Sequence, residues 1–393
     1  MKFSKRINNL VPSATFAMSA RAREMKAQGR DVIALTVGEP DFDTPDYISE
    51  AAKKAIDEKF TRYTAEAGAN ELRDAAAGYF RDNYGVKASG ANIIMTNGGK
   101  QGIYNTFVTL LDPGDEVVLA APCWVSYPAM VELADGVPVM ASATAKEEFK
   151  VSPERLDAFL TPKTKMVLIN SPSNPTGSCY SQKEVDALAE WALKKNIILF
   201  SDEVYDQLVY PPAKRASFSP WWEKHPENFI ITGAVSKSWA MTGWRVGHVL
   251  GSPEFIKAMI RFQGQTTSNI CSIAQKAAVK AYSGGLETVE TMRKAFERRR
   301  DIAYKIISGW KNVICPKPQG AFYIFPDVHQ LYNATVTDSM SFCLQLLEKE
   351  GVALVPGEPF GDDNCVRISY AVLDETLIEA LTRMERFIGT LAK

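Results

Sequence analysis

From about residue 90 to residue 250 the chain alternates short apolar runs with longer amphipathic stretches, and this alternation narrows the fold more than any other feature. The runs lie at 92–96, 116–120, 165–170, 197–201, 229–235 and 246–250. They are short, rich in β-branched residues and apolar at consecutive positions. That is the signature of strands buried on both faces of a largely parallel sheet. Between them lie helical patterns such as Ile103, Phe107, Leu110 and Leu111, or Val185, Leu188, Trp191 and Leu193. Strands alternating with helices in this way predict an α/β open sheet.

Beyond Pro253 the pattern turns mostly helical. The stretch 286–308 carries Met292, Phe296, Ala303, Ile306 and Ile307 at helical spacing. Arg293, Lys294 and Arg298, Arg299 and Arg300 lie between them and predict a solvated or interface face. Strands at 321–325, 352–355 and 366–369 and helices at 340–349 and 375–390 then predict a smaller α+β unit. There is no internal repeat or Ser/Gly-rich linker, so a domain boundary is expected to run through a helix.

Charge and cysteine usage exclude several classes. Forty-five basic and 46 acidic residues leave a net charge of −1, without the basic excess a nucleic-acid surface needs. No apolar run approaches the roughly 18 residues of a membrane span. Six scattered cysteines without a C-x-x-C pair read as a reduced, cytoplasmic protein. The three histidines, His225, His248 and His329, are far apart and advertise no metal site. The basic start and small-residue patch of the first 20 residues mimic a leader, but Pro12, Ser13 and Thr15 interrupt its apolar core. We expect that segment to belong to the fold.

In open α/β sheets ligands bind beyond the carboxyl ends of the strands, so the residues there are the candidates. Asn97-Gly98-Gly99-Lys100 opens a helix, where bare N–H groups meet an anion or merely make a turn. It is neither a Walker loop nor a G-x-G-x-x-G. Trp124 follows the next strand, and the third is followed by Asn170 and then Asn174-Pro175-Thr176-Gly177. Asp202 and Tyr205 follow the fourth; a carboxylate there is paired, functional or capping a helix. Lys237, between Ser236 and Ser238, follows the fifth. It is either a solvated surface lysine or, beside a carboxylate, a phenol and a phosphate site, a Schiff-base lysine. Arg245, in Gly243-Trp244-Arg245-Val246-Gly247, is a surface ion pair or a planar fork for phosphate. Arg367 alternates with Val366 and Ile368, as an edge-strand charge in water or as a carboxylate clamp.

Asn174-Pro175-Thr176-Gly177, Ser201-Asp202-Glu203-Val204-Tyr205, Ser236-Lys237-Ser238 and Gly243-Trp244-Arg245-Val246-Gly247 together resemble the class I/II aminotransferases that depend on pyridoxal phosphate (PLP). Pro318-x-Gly320-Ala321-Phe322-Tyr323 and Val352-x-x-Val355-Pro356-Gly357 resemble family segments too, and the likeness runs from Gly38-Glu39-Pro40-Asp41-Phe42 to Arg367. The resemblance implies a three-layer fold of type I with a mostly parallel central sheet. It implies a large PLP-binding domain over 44–285 and a small α+β domain formed by 1–43 plus 286–393. It implies that Lys237 forms the Schiff base, that Asp202 pairs with the pyridinium nitrogen and that Tyr205 and Asn174 hydrogen-bond the ring oxygen. Trp124 would stack on the ring, while Gly98, Gly99, Lys100, Ser236 and Arg245 surround the phosphate. Tyr63 would reach the phosphate of a neighbouring subunit, implying a homodimer. Arg367 would grip the substrate carboxylate, helped by Asn174 and the Gly38 backbone.

Pro12-Ser13-Ala14-Thr15, taken with Lys100, is similar to the aspartate aminotransferase subgroup of many bacteria. There Ser13, Thr15 and Lys100 would recognise the distal carboxylate of aspartate or glutamate, with 2-oxoglutarate or oxaloacetate as acceptor. Lys100 is otherwise a plain helix-start cation. Relatives that accept prephenate often carry a basic residue before that proline, where this chain has Val11. Cys123 and Trp239 replace the subgroup's usual aromatic residues and leave aromatic amino acids open as substrates. The alternatives on the same fold are a carbon–sulfur lyase and a non-enzymatic binding domain; no helix-turn-helix extension accompanies the latter.

Overall fold

The computed structural model describes residues 1–8, 10 and 14–391. Twelve strands occur among them: β1 (Ile33–Ala34), β2 (Ile93–Thr96), β3 (Glu116–Ala121), β4 (Val137–Ser142), β5 (Thr164–Asn170), β6 (Ile198–Asp202), β7 (Phe229–Ala234), β8 (Gly247–Leu250), β9 (Tyr323–Ile324), β10 (Val352–Ala353), β11 (Val355–Pro356) and β12 (Val366–Ser369). Seven of them form one sheet in the order β2-β8-β7-β6-β5-β3-β4. Every pairing in it is parallel except the two made by β8. The expected α/β sheet is present. Its edge strand β4 was not expected, because Pro138 and Ser142 interrupt the apolar run.

The central strands are apolar at consecutive positions because both faces are covered. Val167 and Ile169 of β5 pack into one hydrophobic cluster with Leu199 and Ile231. Met166 and Leu168, which alternate with them, pack into the opposite cluster with Phe107 and Phe200. Burying a side chain of that size contributes roughly 1.5–3 kcal/mol. Helix Gly99–Leu110 lies close on the sheet because Gly102 lacks a side chain; a Cβ there would stand 2.8 Å from Val249 Cγ2. Helix Gln182–Lys195 begins at a Ser181/Glu184 capping box and stops at Asn196, which takes a left-handed φ of 53°.

The strand directions decide where the site lies. Strands β2, β3, β5, β6 and β7 run the same way and end at one rim. Because β8 runs the opposite way, it starts at that rim, and Arg245 just before it joins the same edge.

A separate core draws on both ends of the chain. Met18, Ala22 and Leu35 pack with Phe296, Phe342, Leu381 and Phe387. Strand β1 pairs in parallel with β10, Ile33 opposite Val352, and β11-β12-β9 form an antiparallel sheet beside them. The segment Ala14–Ala27 is a helix of this unit. The long helix runs Glu287–Ile307, but its basic residues are not all solvated as expected. Arg299 and Arg300 are buried, and Arg299 grips Asp41 with two bonds of 2.7 and 2.9 Å. Arg299 turns inward because Asp41 and Asp374 from distant segments meet it, and Arg300 because its Nη1 donates to the Pro318 carbonyl at 2.8 Å while the neighbouring Asp301 balances its charge. Among the described residues no helix is long and apolar enough to cross a membrane.

Candidate active site

The rim brings most of the candidates together. Lys237 sits in the short helix Val235–Ser238 directly after β7, and its Nζ donates to the Gly38 carbonyl at 2.6 Å. It is no solvated surface lysine. Burial pulls its pKa down to about 8, with Arg245 and Arg367 pushing the same way against Glu39 and Asp202. At the end of β6, Asp202 is 4% exposed. Burial raises its carboxyl to about 6, opposed by donors from Tyr127 and the Val204 amide. Tyr205 is buried, its hydroxyl 3.0 Å from that of Tyr323.

Asn174 is held by its own backbone N–H on Asn170 Oδ1 (2.9 Å), while Asn170 Nδ2 donates to the Asp202 carbonyl (2.9 Å). Asn174 Oδ1 accepts from Arg367 Nη1 at 3.0 Å, and Arg367 Nη2 donates to the Thr36 carbonyl at 2.7 Å. Arg367 is 2% exposed, so the edge-in-water reading fails. Its Nε is buried and has no hydrogen-bond partner among the described residues. A buried guanidinium with an unused donor is suited to an incoming carboxylate.

At the other end of the site Gly98 takes a φ of 76° at the N-terminus of helix Gly99–Leu110. A Cβ there would stand 2.2 Å from Arg245 Nη2, so only glycine lets the guanidinium lie against the helix start. Arg245 donates to the carbonyls of Thr242 (3.0 Å) and Asn97 (3.3 Å), and Ser236 is buried. Lys100 Nζ donates to Ser126 Oγ (3.2 Å) and lies 4.7 Å from the centre of the Trp124 ring. Partial burial lowers its pKa, and Arg245 lowers it further.

Of the remaining expected groups, one stands apart from this rim and the other lies outside the described residues. Tyr63 is 90% exposed and joins none of these contacts within its own chain. Val11, Pro12 and Ser13 lie outside the described residues, as does the side chain of Thr15, whose backbone is in helix Ala14–Ala27. One residue the sequence reading missed is Tyr127, whose hydroxyl donates to Asp202 Oδ2 at 2.6 Å while its ring meets Trp124 edge-on at 5.4 Å. The i, i+3 spacing of Trp124 and Tyr127 was the available signal.

This donor set fits PLP. A helix N-terminus, an arginine and a buried serine suit a phosphate; a buried carboxylate and an indole suit a pyridinium ring; a neutralisable lysine suits an aldehyde. Among the described residues no cluster of three His, Cys, Asp or Glu side chains can hold a metal ion.

The chain belongs to the class I and II aminotransferases, whose family pattern it matches over residues 30–384. It is therefore a PLP-dependent aminotransferase. It is 43% identical to the aspartate aminotransferase of Bacillus subtilis over 389 residues, 99% of each chain. It is 45% identical to the aspartate/prephenate aminotransferase of Cereibacter sphaeroides, over 97% of each chain. Its fold superposes on the Thermus thermophilus aspartate aminotransferase solved with maleate with a TM-score of 0.93 at 40% identity, covering 98% of this chain and 99% of that one.

Proposed function

We propose that the protein moves the amino group of an L-amino acid, aspartate or glutamate foremost, to a 2-oxo acid such as 2-oxoglutarate or oxaloacetate. The observation that carries this reading is Arg367, buried near Lys237, held by Asn174 and Thr36 and with an Nε that has no partner among the described residues. Lys100, over Trp124, offers a second cation for a distal carboxylate. The names of the relatives agree with an acidic substrate.

When bound, PLP supplies a sink for the electron pair left at Cα. The chain's residues do the rest. With the cofactor bound, Asp202 would keep the ring nitrogen protonated, and Tyr205 and Asn174 would hydrogen-bond the ring oxygen. Trp124 covers the ring. Gly98, Gly99, Lys100, Ser236 and Arg245 would hold the phosphate, Gly99 and Lys100 chiefly through backbone N–H. Arg367 and the Gly38 backbone orient the substrate carboxylate. With the cofactor bound and the substrate amine in its place, Lys237 Nζ would take the Cα proton and hand it to the carbon that had carried the aldehyde, and the second half-reaction would run that transfer backwards. Two half-reactions at one site give ping-pong kinetics.

We further propose a large domain over 44–285 and a small one from 1–43 plus 286–393, supported by a core drawn chiefly from both chain ends, with Tyr205, Leu208 and Tyr210 packing into it. A homodimer, with Tyr63 reaching the neighbouring phosphate, accounts for an aromatic 90% exposed on its own chain. Six free cysteines support a cytoplasmic location.

The test is a half-reaction screen. PLP-loaded protein is mixed with aspartate, glutamate, aromatic and aliphatic amino acids without an acceptor, and the released oxo acid is measured. Oxaloacetate or 2-oxoglutarate stoichiometric with enzyme is expected first. Faster reaction of aromatic substrates would overturn the acidic preference, and catalytic release of pyruvate with ammonia would indicate a lyase.

A further inference from the structure

Tyr323 belongs to a segment whose family likeness assigned it no task, yet its hydroxyl lies among three site groups. It is fully buried, and its hydroxyl is 3.0 Å from that of Tyr205. The two rings meet edge-on, with centres 5.9 Å apart and an interplanar angle of 85°. The guanidinium carbon of Arg367 lies 4.7 Å from the centre of the Tyr323 ring. A Cβ on Gly38 would be 3.0 Å from the Tyr323 hydroxyl. The backbone holds this arrangement in register: Tyr323 of β9 pairs with Ser369 of β12, two residues beyond Arg367.

We propose that Tyr323 is a positioning residue that couples the carboxylate site at Arg367 to the Tyr205 phenol, so that filling one is felt at the other. The inference rests on Arg367 being the carboxylate-binding group. Arg367 already has a direct tie to Asn174. Tyr323 supplies a separate one, through the face of its ring to the guanidinium and through its hydroxyl to Tyr205. A carboxylate that draws Arg367 shifts the ring beneath it, and the Tyr323 hydroxyl carries that shift to Tyr205. Both groups lie in a water-poor interior, where no solvent bond replaces the one between the hydroxyls.

The test titrates the PLP-loaded protein with maleate, an unreactive dicarboxylate, and follows the visible cofactor band. Tyr323→Phe and Tyr205→Phe are each expected to weaken maleate binding by about three- to tenfold and to shrink the displacement of the band, since each cuts the neutral hydrogen bond between the two hydroxyls; Tyr205→Phe also loses its bond to the ring oxygen, so each displacement is measured from that variant's own maleate-free band. The double variant is expected to be no weaker than the weaker single variant, because one pathway has been cut twice. Losses that multiply, or an unchanged maleate titration in Tyr323→Phe, would overturn the coupling alone. An unaltered protein whose band ignores maleate would overturn the carboxylate assignment of Arg367 and the coupling with it. Because both changes remove only a hydroxyl, a matching thermal midpoint checks that each variant is folded.

Discussion

The Tyr127 hydroxyl donates to Asp202 Oδ2 at 2.6 Å, while the Val204 amide donates to Oδ1 at 3.1 Å, so both oxygens of this buried carboxylate are occupied. Burial alone disfavours the charge, and these donors are what hold its pKa near 6. Tyr127→Phe removes one donor that favours the ionised form. Its acid limb in the pH–rate profile is expected to move to higher pH, and turnover to fall by roughly tenfold or more, the scale of a hydrogen bond to a charged group. An acid limb that stays in place would dissociate Tyr127 from the charge of Asp202.

Lys237 must be neutral to attack an aldehyde, and burial brings its pKa to about 8. Capture of PLP by the cofactor-free protein is therefore expected to quicken up to about pH 8 and then level off. A rate still climbing near the ordinary lysine range would contradict that. Lys237→Ala is expected to show neither the yellow cofactor band nor turnover, and retained activity would sink the assignment.

Lys100→Ala addresses the distal carboxylate. We expect the KM for aspartate to rise by roughly tenfold to a hundredfold, as for the loss of a charge-assisted contact, with aromatic substrates little affected. Equal losses for both would make Lys100 a group of the cofactor end, where it already lies over Trp124.

Glu203, beside Asp202, bonds inward to Ser201 Oγ (3.0 Å) and the Phe218 amide (3.0 Å). Burial raises its carboxyl to about 7. A carboxyl raised on folding stabilises the native state at low pH and loses that contribution as pH climbs through the folded value. Glu203→Gln, neutral throughout, is thus expected to gain stability relative to the unaltered protein between about pH 4.5 and 7, by roughly 2–3 kcal/mol at the top of the range. Thermal melts at pH 5 and pH 8 read this directly; a constant difference would place the charge of Glu203 in water.

Much of the site was legible because local pattern encodes it. Doubly buried strands need consecutive apolar residues, and in a mostly parallel sheet the residues just past them share one rim. Reading those ends found Gly98, Trp124, Asn174, Asp202, Tyr205 and Lys237 with no knowledge of contacts. Strand β4 escaped because an edge strand needs no such run. Arg299 and Arg300 escaped because a basic run says nothing of partners elsewhere in the chain; Asp41 is 258 residues from Arg299, and Arg300 is taken up by the Pro318 carbonyl.

The alternation of apolar runs by itself determined the layered α/β architecture and the rim on which the chemistry sits. Only the tertiary structure decided the states of the groups there. Lys237 meets the Gly38 carbonyl across 199 residues of chain, and Arg367 meets Asn174 across 193. Those meetings take a lysine and an arginine out of water, lower the pKa of the first to about 8 and leave the Nε of the second without a partner among the described residues. Periodicity reports which face a residue takes, whereas burial and partners arise only when distant segments close on one another.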